Sequence, residues 1–167
     1  MMTQSIPDAV LRGAGRGGVT RQPEVPMRRT RRETAAVLGR VPLFADFSRR
    51  HLERLARDTD ELTFAPGERI VQEADPGETL YVVLSGSGTV TRKGRKVGRV
   101  VPGDFFGELS ALDGGPRTAT IVAETPMRVL RLFRRTLAAQ LRDEPQLSLK
   151  LLTGMTRRVR EVERRTG

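Results

Sequence analysis

The chain has 167 residues, 30 Lys+Arg against 20 Asp+Glu for a net charge of +10 at pH 7, and no cysteine. That length suits one domain with a proper core and is too short for two comfortable ones. The missing cysteines exclude a disulfide framework and a thiolate metal site, and no apolar run approaches the roughly 18 residues of a membrane span.

The N-terminus also lacks the continuous apolar core of a secretory signal, so a soluble cytoplasmic protein is expected. A basic balance favours anionic partners. Arginine supplies nearly all of it, with Lys93, Lys96 and Lys150 the only lysines, a bias that genome composition produces as readily as phosphate chemistry.

Residues 1–32 are polar, arginine-rich and interrupted by Gly and Pro, with no apolar period to bury. They read as a disordered basic tail. Gly13, Gly15 and Gly18 match G-x-G-x-x-G spacing, but no strand precedes and no amphipathic helix follows, so no dinucleotide site is assigned. The basic pairs of "RRTRRET" read as a solvated linker, with phosphate contact or presentation of Thr30 or Thr34 to a kinase as alternatives.

Helical signals start near Glu33 in "ETAAVLGR", closed by Gly39. They resume at "SRRHLERLARD", where Ser48 is the expected cap and Leu52, Leu55 and Ala56 share a face with Phe44 and Phe47. Residues 33–60 thus form a small N-terminal helical segment.

From 61 to 133 the texture changes to short apolar runs, "LTF", "RIVQ", "LYVVL", "GTVTR", "KVGRVV", "TATIVA" and "RVLRL". Breaks such as Pro66-Gly67, Pro76-Gly77 and Pro102-Gly103 fall at strand-and-turn intervals, which predicts an antiparallel sandwich or barrel. Over 134–167 the period becomes helical. Phe133, Leu137 and Leu141 lie one turn apart, and Leu147, Leu151, Met155, Val159 and Val162 make a stripe that either packs on its own domain or dimerises.

Between these regions, "GDFFGELSALDGG" places flexible backbone before a short helical run starting at Glu108, whose first N–H groups attract an anion. The Gly114-Gly115-Pro116 turn returns Arg117 to the same neighbourhood, adding a guanidinium fork suited to phosphate oxygens. Glu108 would repel a phosphate placed directly on it, so its role there is to accept from neutral hydroxyls. Phosphate with hydroxyls suggests a nucleotide. Taken singly, each residue has an ordinary structural role instead: a first-turn acid, turn glycines, a solvated arginine.

The stretch from Gly107-Glu108-Leu109-Ser110-Ala111-Leu112 to Pro116-Arg117-Thr118-Ala119-Thr120 closely resembles the phosphate-binding cassette of cyclic-nucleotide-binding domains of the catabolite activator protein and kinase A regulatory subunit type. The resemblance extends through "FAPGERIVQEADPGETLYVVLSGSGTV" and "VVPGDFFGE" and covers roughly 41–165. It implies a mainly β fold, an antiparallel jelly-roll-like β-roll or double-stranded β-helix, with N-terminal helices and a C-terminal helical pair.

It also implies that Arg117 binds the exocyclic phosphate, that Glu108 and the Gly107 backbone bind the ribose 2′-hydroxyl, and that the Ser110 and Thr118 amides complete the cradle. Leu109 and Ala119 belong to the same cassette, 107–120. Two departures stand out. Ala74 occupies a position where the family usually has glycine, in a turn expected to lie away from the pocket. No aromatic residue is available to cap the purine, which leaves Leu151, Leu152 or Met155 as apolar caps.

The expected function is that of a cyclic-nucleotide sensor, with cAMP as ligand, cGMP as the alternative that Thr118 suggests, and ligand binding coupled to movement of the C-terminal helix. No catalytic residue, cofactor or metal is assigned; a cupin-type enzyme would need a metal-binding cluster, and the single histidine, His51, falls on an N-terminal helix. Related transcription factors continue into a helix-turn-helix, whereas only Thr166 and Gly167 follow the last helical residue here. A sensor acting through an unidentified protein effector or a homodimer is therefore expected, without sequence-specific DNA binding or a membrane. The competing reading is a nucleic-acid-associated basic protein that uses the β-roll as scaffold and binds in a salt-sensitive way.

Overall fold

Thr30 sets the first helix. Its hydroxyl accepts from the Glu33 N–H at 3.2 Å, and its own N–H donates to the Glu33 carboxylate at 2.7 Å. This capping box starts α1 (Arg31–Gly39) two residues before the expected point, inside the segment read as tail. A computed structural model of the chain describes residues 28–166, so the rest of that expected tail, including Gly13, Gly15 and Gly18, lies outside the described residues. One turn of 3-10 helix (Pro42–Phe44) leads to α2 (Arg49–Arg57), which Ser48 caps as expected.

Eight strands follow: β1 (Asp60–Phe64), β2 (Arg69–Val71), β3 (Thr79–Ser85), β4 (Gly88–Arg92), β5 (Arg95–Val100), β6 (Phe105–Phe106), β7 (Thr120–Ala123) and β8 (Met127–Phe133). They form two antiparallel four-stranded sheets, ordered β1-β8-β3-β6 and β2-β7-β4-β5. The short helix α3 (Glu108–Asp113) interrupts the strands between β6 and β7, and α4 (Arg134–Asp143) and α5 (Leu147–Thr166) close the described chain. The fold is therefore the mainly β architecture with flanking helices that the cassette resemblance implies. β6 escaped the sequence reading because two residues cannot display a period.

β3 carries apolar side chains on both faces, and this sets the layering. Leu80 and Val82 join Leu130 and Leu132 of β8 under the helices, in a core with Leu38, Phe44, Leu55, Leu137 and Leu147. Tyr81 and Val83 turn the other way, with Met127 and Val129, into a second core shared with Ile70, Phe106 and Ile121. Successive strand residues point to opposite faces, so one sheet serves both cores. Each such side chain, fully buried, contributes about 1.5–3 kcal/mol.

α5 docks through a glycine. A Cβ on Gly154 would stand 2.8 Å from Leu43 Cα, Leu43 O and Pro42 O, so only a bare backbone allows this approach to the 3-10 turn. Leu147 and Leu151 are buried beside it, whereas Val159 and Val162 are exposed. The expected single stripe thus divides: its first half packs on its own domain and its second half faces outward. Replacing Gly154 by Ala should destabilise the fold by about 1–3 kcal/mol through overpacking, despite alanine's better helix propensity. Chemical denaturation checks this; an unchanged or higher midpoint would contradict the close docking.

Candidate anion-binding site

The cassette depends on two left-handed glycines. Gly107, φ 81°, precedes α3, and Gly114, φ 70°, ends it by donating to Ser110 O at 2.8 Å. Residues with a Cβ are strained in this region, so glycine fits both ends. Beyond α3, the main chain of Arg117 is clamped by the turn before β3. Its N–H donates to Asp75 O at 2.8 Å, and its carbonyl accepts from the Ala74 N–H at 2.9 Å.

That turn was expected to lie away from the site. Instead it holds the backbone of the cassette arginine, with Ala74 itself at φ 70° where glycine would be relaxed. Replacing Ala74 by Gly should relieve about 1 kcal/mol of backbone strain, seen as a raised denaturation midpoint; a lowered midpoint would argue against a strained turn.

The Arg117 side chain is 8% exposed. One Nη donates to Thr79 O at 2.7 Å and the other to Thr79 Oγ1 at 2.6 Å. The guanidinium lies 5.8 Å from the Tyr81 ring centroid, within cation–π range. Two glycines make room for it: a Cβ on Gly77 would fall 2.4 Å from Arg117 Nε, and one on Gly107 would fall 2.5 Å from an Nη. Burial pushes the pKa below the ordinary arginine value. The group nonetheless keeps its proton.

No carboxylate pairs with Arg117 among the described residues. A buried charge in that condition is costly unless an anion meets it. The guanidinium borders a cavity of about 520 Å³ that Gly107, Glu108, Leu109, Ser110, Thr118 and Ala119 also line. The structure thus brings together every cassette residue singled out from the sequence. Glu108 is half-buried at this wall, Ser110 is buried and Leu109 is exposed. Val71, Val90 and Ile121 add an apolar wall.

The C-terminal helix meets the cavity at a different place from the one expected. Leu151 is buried in the helical core, Leu152 is 63% exposed and Met155 packs against that core. None of the three lines the cavity. Arg158, Glu161 and Arg165 do, one to three turns further along α5, because the Gly154 contact sets the rotation and height of the helix. Arg158 lies over the Phe105 ring at 5.3 Å, and Glu161 pairs with Arg158 at 3.6 Å and Arg165 at 2.9 Å. His51 is elsewhere, on α2, within 2.6 Å of Glu144.

Gly77, Thr79 and Tyr81 were missed by the sequence reading, although "PGETLY" holds all three. Their role emerges only when β3 is placed beside the cassette. Arg92, whose Nε donates to Thr118 O at 3.1 Å, was missed for the same reason. Thr79→Val removes one acceptor from a buried cation without changing shape, and should destabilise the protein by about 1–3 kcal/mol. Denaturation of this variant beside the exposed control Thr63→Val checks it; equal effects would contradict the role given to Thr79.

The model of the family described as the cyclic nucleotide-binding domain matches residues 61–144. A CRP-like cAMP-activated global transcriptional regulator of Mycobacterium tuberculosis is 31% identical over 131 residues, spanning 75% of this chain and 58% of the regulator. A cAMP-dependent protein kinase regulatory subunit of Aspergillus niger is 36% identical over 106 residues, 62% of this chain and 26% of that protein. The chain thus matches a little over half of the first relative and about a quarter of the second. Among solved structures, the N-terminal domain of a transcriptional regulator from Streptomyces coelicolor superposes with a TM-score of 0.66 at 37% identity, covering 75% of this chain and 94% of that one.

Proposed function

Because this chain belongs to the cyclic nucleotide-binding domain family, we propose that its cavity takes a 3′,5′-cyclic nucleotide and that the domain acts as a regulatory sensor. The observation that carries this reading is the buried, unmatched Arg117 at the wall of a cavity that Glu108 shares. In the proposal Arg117 holds the exocyclic phosphate and keeps its Thr79 bonds. Glu108 and the Gly107 backbone accept and donate to the ribose 2′-hydroxyl, and the Ser110 and Thr118 amides complete the cradle. No bond of the ligand is made or broken.

The ligand is cAMP in this reading, in keeping with the two relatives named for cAMP. The base lies towards α5, where Arg158, Glu161 and Arg165 replace the apolar caps first considered. A nucleotide touching Arg158 shifts the cation from Phe105 and so moves α5. The output then passes to a protein effector or a second copy through the exposed outer face of α5, Leu149, Leu152, Val159 and Val162. A nucleic-acid scaffold is the weaker reading, since Arg117 faces a recessed cavity instead of an open surface.

Calorimetric titration with cAMP, cGMP and 5′-AMP tests the class, the base and the cyclic phosphate together. The expected order is cAMP, then cGMP, then 5′-AMP. Arg117→Ala should lose roughly 2–5 kcal/mol of cAMP affinity, the cost of removing one member of a buried charge pair. Unchanged affinity in that variant would overturn the cassette assignment.

A further inference from the structure

A second cavity, of about 610 Å³, lies between the start of α1, the end of α2 and β1. It shares no lining residue with the cassette cavity. Its two carboxylates are already matched. Asp60 pairs with Arg131 at 2.7 Å, while Glu61 pairs with Arg128 and lies 3.9 Å from Arg29.

Arg31 and Arg57 line the same cavity and have neither a carboxylate nor a hydrogen-bond acceptor among the described residues. Both also border an adjoining cavity of about 330 Å³, where the carboxylate of Glu53 is taken by Arg49 at 3.2 Å. The positive charge is therefore unbalanced along a continuous concave tract. Like charges gathered in a recess raise its potential and draw anions.

Thr34 lines the cavity and is 6% exposed. One buried polar atom at the same cavity points the same way. Arg29 Nε is closed off from solvent and has no hydrogen-bond partner, the Glu61 carboxylate standing 3.9 Å away, beyond hydrogen-bond reach. Buried polar atoms without partners are rare, and a bound ligand is one of the conditions that satisfies them.

We infer that this cavity is a second anion site, separate from the cassette, for a small ligand bearing a polyphosphate chain. The guanidinium forks of Arg31 and Arg57 match phosphate oxygens. The recess is far larger than a single phosphate and falls in the size range of sites for small organic ligands. A chain of linked phosphates meets several separated arginines at once. The inference does not depend on the cyclic-nucleotide reading, since the two sites have no residue in common.

Calorimetric titration of the full chain with inorganic tripolyphosphate and with ATP tests it. Saturable binding of one equivalent is expected, weakened about tenfold or more by Arg31→Ala and by Arg57→Ala, the loss of charged hydrogen bonds. Cyclic AMP binding should survive both variants, and thermal melts establish that they fold. Equal affinity for the two probes assigns a free polyphosphate, whereas tighter ATP binding assigns a nucleoside-bearing one. In Arg117→Ala the tripolyphosphate isotherm should be unchanged. Binding lost in Arg117→Ala but kept in the other variants would place the anion in the cassette and overturn the inference, as would an isotherm that never saturates or that Arg31→Ala and Arg57→Ala leave unaltered.

Discussion

The guanidinium of Arg117 is the constraint around which the β-roll is arranged. A cation this deeply placed needs fixed acceptors, and Thr79 supplies two of them from the first residue of β3. It needs a slot, which Gly77 and Gly107 leave by having no Cβ. It also needs a rigid main chain, provided by the turn carrying Ala74 and Asp75. These supports hold the charge at the cavity wall while leaving it without a counter-charge among the described residues. An anion arriving there meets a preorganised donor, and little side-chain entropy remains to be lost on binding.

The same strand connects the site to the helices. Thr79 and Tyr81 serve Arg117 and the core between the sheets, whereas Leu80 and Val82, on the opposite face, support the helical layer. α5 rests on the 3-10 turn through Gly154 and reaches over the cavity, where Arg158 covers Phe105 two residues before Gly107. β6 and α5 are thus in physical contact through one cation–π pair, beside the cassette.

Much of this was legible from the chain itself. Periodicity located seven of the eight strands among the described residues and the C-terminal helices, Ser48 announced its own cap, and the family resemblance of Gly107 to Thr120 named the cassette residues that the structure gathers at one wall. What stayed hidden depends on contacts distant in sequence. Thr79 lies 38 residues from Arg117, and nothing local in "PGETLY" reveals that it will hold a guanidinium. Likewise, the choice of Arg158 over Leu151 at the cavity follows from where Gly154 docks, a tertiary contact that helical period cannot supply. The turn at Ala74 was misjudged as remote because its bonds to Arg117 join backbone far apart in the β-roll sequence.

The central claim is that Arg117 anchors a phosphate and that the remaining cavity supplies much less. Titrating the wild type and Arg117→Met with both cAMP and adenosine measures this as a coupling between one side chain and one ligand group. The account predicts that the wild type strongly prefers cAMP to adenosine and that the preference collapses in Arg117→Met. An equal preference for cAMP in both proteins would contradict it.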